Sequence, residues 1–358
     1  MSHCIETWKL PDIFLSLPKP IRLKGVDKFC TVHSKGKTFR ENELTYSAHL
    51  PLLEEIVVTF VLALLLFGPL ICFATFFYTL FFCNRVQFVF TTSITVALSL
   101  HPLPNWESAT RRAWFTQALY KYFSFRFIWS GNDKDLGNES NCPTPWIGAS
   151  PPHGVLPFAN IVSIPALNVF TGRPFVGASA SVVFATPFLR YFSILGCTSV
   201  GKKDLTKAIF TDGLCVGLVP DGLKGIFSQN ESDEVVNLKH SKGLAKFSLI
   251  NGVPLFPAYS VGNTSVFSAW YDRWGIMKAI SRKLKISIFL PYGRFYLPIA
   301  RRANITMIIG EVIKTQKCEN PSQDQIDAVH QLLLERIEGL FEKHKASLGW
   351  GHKTLTFV

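Results

Sequence analysis

The run Trp146-Ile147-Gly148-Ala149-Ser150-Pro151-Pro152-His153-Gly154 decides how the rest of the chain is read. Its first half is short and apolar and is bounded by prolines, which predicts a strand over residues 146–150. Pro151 and Pro152 then restrict the backbone, and Gly154 removes a side chain so that a substrate and backbone N–H groups can approach each other. A helix is expected to begin near Val155, which leaves His153 on a strand-to-helix loop. An imidazole with an unperturbed pKa near ~6.5 can take a proton from an alcohol as that alcohol attacks an acyl carbonyl, then pass it to a leaving thiolate. An ordinary loop histidine has the same local sequence, so the remainder of the chain must choose between the two.

Toward the C-terminus, short apolar runs alternate with helix-like segments, the rhythm of an α/β domain. Further strands are expected at residues 174–178, 214–219, 255–261 and 305–309. Ser322 and Gln325 have capping-box spacing, and Ile326, Val329, Leu333, Ile337, Leu340 and His344 follow at helical intervals. That amphipathic helix closes the domain, by packing on the sheet or by lying on a membrane; its exposed face mixes both signs of charge, which favours the sheet.

Toward the N-terminus, residues 56–82 carry no charge, and at about 1.5 Å per residue a helix there reaches roughly 40 Å, against about 30 Å of bilayer hydrocarbon. Gly68-Pro69 interrupts it, and Asn84-Arg85 precedes a second uncharged run, 86–100. A membrane-embedded hairpin competes here with one kinked span. Basic residues lie on both sides, in the N-terminal arm and at Arg111, Arg112, Lys121 and Arg126, which puts both flanks in the cytosol and favours the hairpin. Three units follow: a cytosolic arm over 1–55, the hairpin over 56–103 and a catalytic domain over 104–358, with a polar loop at 130–145. The aromatic run 286–298, punctuated by Pro291, Gly293 and Arg294, suits an interfacial loop or core packing.

A formal charge of +12 with 48% hydrophobic residues points to a membrane partner and to anionic head groups or a phosphorylated co-substrate. No zinc-finger spacing, RNP-type motif or long basic run supports nucleic-acid binding. The eight cysteines are scattered, without CxxC pairs or zinc-ligand spacing, and read as reduced thiols; no metal is expected. The first fifty residues are polar and lysine-rich, so no signal peptide is expected. Asn138, Asn230, Asn263 and Asn304 head glycosylation-type triplets, which matter only on a lumenal face.

Five blocks carry a family resemblance. Pro151-Pro152-His153-Gly154 looks like an HPHG or EPHS block, and Thr186-Pro187-Phe188-Leu189-Arg190 is similar to a TPFLR stretch. Leu218-Val219-Pro220-Asp221-Gly222 resembles VPGG, and Lys242-Gly243-Leu244-Ala245-Lys246 with Gly252, Pro257 and Gly262 follows an RxGFxK…G…VP…G pattern. Leu340-Phe341-Glu342-Lys343-His344-Lys345 looks like an LFxRHK tail. Together these resemble the type 2 diacylglycerol acyltransferases, especially their plant and algal branch, over roughly residues 146–358.

The resemblance implies a glycerolipid-acyltransferase-like α/β fold, a mixed sheet flanked by helices behind an N-terminal membrane-embedded hairpin. It implies transfer of a fatty acyl group from acyl-CoA to the free hydroxyl of diacylglycerol, at the endoplasmic reticulum membrane and lipid droplets, with acyl-CoA as co-substrate and no resident cofactor. His153 carries over as the catalytic histidine, with Pro152 and Gly154 beside it. Pro151 departs from the family's His or Glu. Related glycerolipid acyltransferases orient the histidine with an Asp five positions later; this chain has Phe158, so another acceptor must fix the tautomer. A Glu common in the family's second Gly-rich block aligns with Gly225, and that block's first Gly aligns with Asp221. Asp221 either relocates a carboxylate within the loop, beside Gly222, or caps a turn. Arg190, Lys202 and Lys203 are candidates for the coenzyme A phosphates, with solvated surface charge as the alternative. Lys242, Gly243 and Lys246 fall in the acceptor-side block, or on a basic helix lying on lipid. Monoacylglycerol or a long-chain alcohol as acceptor, a lysophospholipid acyltransferase and a silent lipid-droplet scaffold are the competing functions. Homo-oligomerisation is neither required nor excluded.

Overall fold

The computed structural model describes residues 29–31, 50–103, 114–131, 145–170, 174–228, 232–272, 274–284 and 289–358. Most of the N-terminal arm, Arg111, Arg112, Asn138, Asn230 and most of the polar loop 130–145 lie outside the described residues.

The run quoted above forms β3 (Ile147–Ala149), inside an eight-stranded sheet. In chain order the strands of that sheet are β1 (Phe29–Thr31), β2 (Arg126–Trp129), β3, β4 (Phe175–Ser179), β5 (Cys197–Ser199), β6 (Cys215–Leu218), β8 (Leu255–Val261) and β11 (Thr306–Ile309). The spatial order is β1-β2-β11-β8-β3-β6-β4-β5. β3 pairs in parallel with β6 on one side and β8 on the other, with Ala149 opposite both Leu218 and Pro257. β11 runs antiparallel to β8, so the sheet is mixed. Every residue of β8 is buried, as both-faces coverage of a central strand requires. The five expected strands all form, within a residue or two of their expected limits. β1, β2 and β5 are not among the expected strands; β2 opens on the charge of Arg126, and Cys-Thr-Ser makes β5 polar.

Helices α1 (Leu52–Phe82) and α2 (Arg85–Leu100) fold back on each other across Cys83-Asn84. Thr79 and Thr91 share a 3.1 Å hydroxyl contact, and the Phe76 and Phe88 rings lie 5.5 Å apart. Asn84 begins α2 with a capping box to Gln87, which makes the reversal abrupt. α1 runs unbroken through Pro69 and α2 packs back on it, so the two apolar runs form a helical hairpin. α1 is long and apolar enough to cross a membrane, and only 17% of its most apolar window is buried by the rest of the molecule. A core helix of a water-soluble domain would be covered far more completely. Its first turn is clamped to the α/β domain: Lys121 of α3 (Trp114–Tyr122) pairs with Glu54 at 3.0 Å, while Arg294 and Arg302 pair with Glu55.

α4 (Phe158–Phe170) follows β3, starting about one turn later than expected because Pro157 delays it. α5 (Gly243–Asn251) and α6 (Ile276–Leu284) come next, and α7 (Gln323–His344) closes the fold behind the Ser322–Gln325 capping box. α7 lays Leu333, Ile337, Leu340 and Phe341 on the sheet, so sheet packing is its use. A hairpin of β9 (Ser268–Trp270) and β10 (Leu290–Tyr292) sits beside the main sheet. β7 (Glu234–Val236) pairs with the last strand, β12 (Leu355–Phe357).

That last pairing is held by a fully buried carboxylate. Glu234 accepts from Tyr259 and Thr264 at 2.9 Å each and from Lys353 at 3.3 Å. Burial pushes its pKa up, and Lys353 pulls it back. Lys353→Met leaves Glu234 buried without its cation and is expected to cost about 3 kcal/mol. A clear drop in the thermal midpoint of purified Lys353→Met, set against a near-neutral Lys278→Met on the exposed side of α6, checks this.

Candidate active site

Parallel neighbours deliver their carboxyl ends to the same place, and here β8, β3 and β6 do so together. The residues just past those ends are Asn263, His153 and Asp221. None of the three lies near another in sequence.

The His153 loop is fixed from several directions. Asn263, 1% exposed, donates through Nδ2 to the carbonyls of Pro152 (3.1 Å) and His153 (2.9 Å), and its Oδ1 accepts the N–H of Ala159 in the first turn of α4 (3.0 Å). Ser260 N–H donates to Pro151 O at 2.9 Å, and the Ser150 and Ser260 hydroxyls meet at 2.8 Å. Asn160 donates to Ser150 O at 3.1 Å. Gly154 takes φ +63°, a left-handed conformation that a residue with a Cβ adopts at a cost.

This backbone path also orients the imidazole. His153 Nδ1 lies 3.0 Å from Gly154 O. A carbonyl only accepts, so Nδ1 carries the proton and Nε2 keeps its lone pair. The acceptor sought in place of an Asp five positions on is therefore a backbone carbonyl one residue away. Burial lowers the His153 pKa below 6.5, and the Gly154 bond offsets part of that drop.

Asp221, 4% exposed, accepts the backbone N–H of His153 through Oδ2 at 3.0 Å. It makes no side-chain cap hydrogen bond to the short helix Gly222–Ile226. Burial pushes its pKa up to about 7, against the pull of backbone hydrogen bonds led by that of His153. Its other oxygen, Oδ1, is buried without a hydrogen-bond partner. A Cβ built on Gly225 would sit 2.2 Å from Asp221 Oδ2 and 3.1 Å from His153 Cβ. Positions 221 and 225 thus share one volume beside His153, and only one of them can fill it. That is the physical sense of the exchanged Gly and acidic residue noted in the sequence.

In front of this group lies a cavity of about 1440 Å³ with an apolar lining. One wall is α1 itself, through Leu66, Pro69, Leu70 and Phe73; His153 lines it too, as do Lys202 and Lys246. Gly222 and Gly243 line the cavity as well. Pro152 lies behind it, buried and held by Asn263. The remaining predicted residues are elsewhere. Arg190, 7% exposed, donates to Leu98 O (3.2 Å) and His101 O (2.8 Å), closing the C-terminal end of α2. It is an anchor for the hairpin, neither a phosphate ligand nor a solvated charge. Lys242 pairs with Asp327 at 2.7 Å, and Lys203 is exposed outside the cavity. Among the described residues no cluster of His, Cys, Asp and Glu could hold a metal.

Asn263 is the residue that sequence reading missed, having noted only its Asn-Thr-Ser triplet; buried and fully engaged, that amide has no room for a glycan. The available signal was Gly262 before it, at φ +90° with Asn304 O only 2.1 Å from where a Cβ would stand. A glycine needed at a strand end marks a close backbone approach.

Residues 77–357 match the family model described as diacylglycerol acyltransferase. The chain is 26% identical over 269 residues to diacylglycerol O-acyltransferase 2-like protein 6 of Mus musculus, spanning 68% of this chain and 78% of that protein. It is 30% identical over 178 residues to diacylglycerol O-acyltransferase 2 of Dictyostelium discoideum, spanning 46% and 53%. It is 28% identical over 198 residues to human acyl-CoA wax alcohol acyltransferase 2, spanning 51% and 59%. Among solved structures, the 1-acyl-sn-glycerophosphate (LPA) acyltransferase PlsC of Thermotoga maritima is similar with a TM-score of 0.37 at 12% identity, covering 80% of this chain and 97% of that one. Matched to one family model from within α1 to β12, the chain belongs to the diacylglycerol acyltransferase family and is an acyltransferase.

Proposed function

We propose that the chain moves a fatty acyl group from acyl-CoA to the free hydroxyl of diacylglycerol, making triacylglycerol, with His153 as general base. The observation that carries this reading is the imidazole whose Nδ1 is committed to Gly154 O, on the wall of an apolar cavity that α1 helps to enclose. In the proposed step Nε2 takes the hydroxyl proton while the oxygen attacks the thioester carbonyl. The tetrahedral intermediate collapses to ester and thiolate, and the imidazolium returns its proton to the thiolate. The thioester is already activated, so alignment and oxyanion stabilisation are the main demands. The His153 N–H is committed to Asp221, which leaves the N–H groups from Gly154 onward for the oxyanion, worth on the order of 3 kcal/mol. Acyl chains gain about 0.8 kcal/mol per buried methylene, enough for an apolar cavity to bind them with few polar contacts.

Asp221 serves in this scheme as a positioning residue that holds the His153 backbone. Lys202 and Lys246 supply charge for the coenzyme A phosphates at the cavity edge. An uncovered α1 supports residence in a membrane, which this reading assigns to the endoplasmic reticulum and lipid droplets with both flanks of the hairpin cytosolic. The similarity to a relative named for wax alcohols makes the acceptor the first thing to measure. Labelled acyl-CoA is supplied with diacylglycerol, monoacylglycerol or a long-chain alcohol to membranes of cells lacking their own triacylglycerol synthesis. Triacylglycerol as the main product supports the proposal, another ester changes the acceptor, and no product with any acceptor favours the scaffold.

His153→Ala is expected to lower turnover about 10²- to 10⁴-fold while the protein stays inserted and folded. In the wild type, kcat/KM should fall on acidification with a midpoint below 6.5, because the base works only when unprotonated and burial holds its pKa down. Asp221→Ala is expected to reduce kcat about 10²-fold with little change in KM, since the loop shifts, whereas Asp221→Asn keeps an oxygen to accept the His153 N–H and retains most activity. Asp221→Asn should also alter stability with a defined sign. A carboxyl near 7 when folded and 3.8 when unfolded makes the wild type lose stability as pH rises from about 4 to about 7, and the amide removes that decline. Melting curves across that range test it. The pair Lys202→Ala and Lys246→Ala should raise KM for acyl-CoA severalfold and leave kcat in place, read from initial rates with varied acyl-CoA.

A further inference from the structure

The turn between β10 and β11 is built in a way that water alone does not explain. Phe295 and Tyr296 take φ +58° and +57°, the left-handed region that aromatic L-residues adopt only when the surroundings force them. The forcing is visible. Gly293 N–H donates to Leu297 O at 2.7 Å, Arg294 N–H to Ile299 O at 2.8 Å and Leu297 N–H to Arg294 O at 2.9 Å, and a Cβ on Gly293 would lie 2.0 Å from Ile299 O. The outcome is that both rings stand out from the protein, Phe295 77% and Tyr296 87% exposed. Leu297 beside them is 51% exposed.

This turn is tied to the membrane helix at one level. Arg294 and Arg302 both pair with Glu55, in the first turn of α1. Leu52, Leu53 and Ile56 of that turn are themselves 73%, 69% and 55% exposed. The aromatic turn and the head of α1 therefore form one apolar belt, interrupted by arginines. An aromatic-and-arginine belt where an apolar helix begins is the composition suited to the head-group zone of a bilayer, where amphipathic rings sit at the boundary and arginine reaches phosphate.

We propose that Phe295 and Tyr296 form an interfacial wedge that enters the head-group layer of the phospholipid leaflet into which α1 descends. The wedge fixes the depth and tilt of the α/β domain on the membrane. Its occupant is the phospholipid interface itself. Strain in the turn is offset when the rings leave water. The assignment rests on the membrane reading of α1 and is independent of the role given to His153.

Photocrosslinking tests it on the full chain. p-Benzoylphenylalanine is placed at Tyr296 in one variant and, as a control, at exposed Gln331 of α7 in another. Both are reconstituted in vesicles of phosphatidylcholine with one fifth phosphatidylserine, floated, irradiated and analysed by peptide mass spectrometry. Phospholipid adducts at position 296 at least tenfold above those at 331 are expected. Co-flotation with no excess at 296 overturns the wedge, and a chain that fails to float overturns it together with the membrane reading of α1. Phe295→Asp/Tyr296→Asp provides a second readout: activity should fall about tenfold with acceptor supplied in vesicles and return to wild type with acceptor in detergent micelles. An equal loss in both, or none in either, overturns the proposal.

Discussion

The site depends on a backbone loop that is held by hydrogen bonds to its main chain, so that the imidazole is oriented by a carbonyl of the same loop. Asn263 grips the carbonyls of Pro152 and His153 while accepting from α4, and Asp221 takes the His153 N–H. Each such bond contributes about 1 kcal/mol net, yet leaving one of these buried groups unpaired costs about 1–3 kcal/mol, so the loop has little freedom to relax. With the loop fixed, Gly154 O stands where it accepts from Nδ1, and the tautomer follows from the backbone path. In the proposed mechanism this neighbouring carbonyl takes the orienting place of an Asp five positions on, without the added negative charge that would raise the imidazole pKa.

Topology explains how three residues so far apart in sequence meet. β8, β3 and β6 are parallel neighbours, and Asn263, His153 and Asp221 each lie just beyond a carboxyl end. The strands were readable because central strands buried on both faces are continuous apolar runs, as in Leu255–Val261. β2 was not, since its Arg126 is buried in a way that composition does not announce. His153 was readable from the proline-proline-glycine frame around it. Asn263 was hidden because its importance lies in three bonds across the fold, of which a single sequence records nothing but a glycine beforehand. The basic candidates divided on the same ground: charge can be seen in sequence, whereas its partner cannot, and Arg190 turned out to close α2 while Lys202 and Lys246 reach the cavity.

The hairpin and the active site are one construction. α1 supplies a wall of the cavity, Phe188 packs against Gly68 where any side chain would collide, and the TPFLR arginine fastens α2. An apolar cavity with a long, largely uncovered apolar helix for a wall suits the lipid substrates proposed above, and Lys202 and Lys246 line the same cavity where the proposed co-substrate carries charge. The ion pairs on Glu54 and Glu55 tie the first turn of α1 to the α/β domain. Placing these acids in the first turn of α1 also matches the helix dipole, which favours negative charge at that end.

The most direct measurement is the tautomer of His153 itself. Nitrogen-15 solid-state spectra of histidine-labelled protein in lipid, with His153→Gln to assign the signal by difference, report which ring nitrogen carries the proton at neutral pH. The account requires a neutral ring protonated at Nδ1 and bare at Nε2. A ring protonated at Nε2, or an imidazolium at that pH, would contradict it.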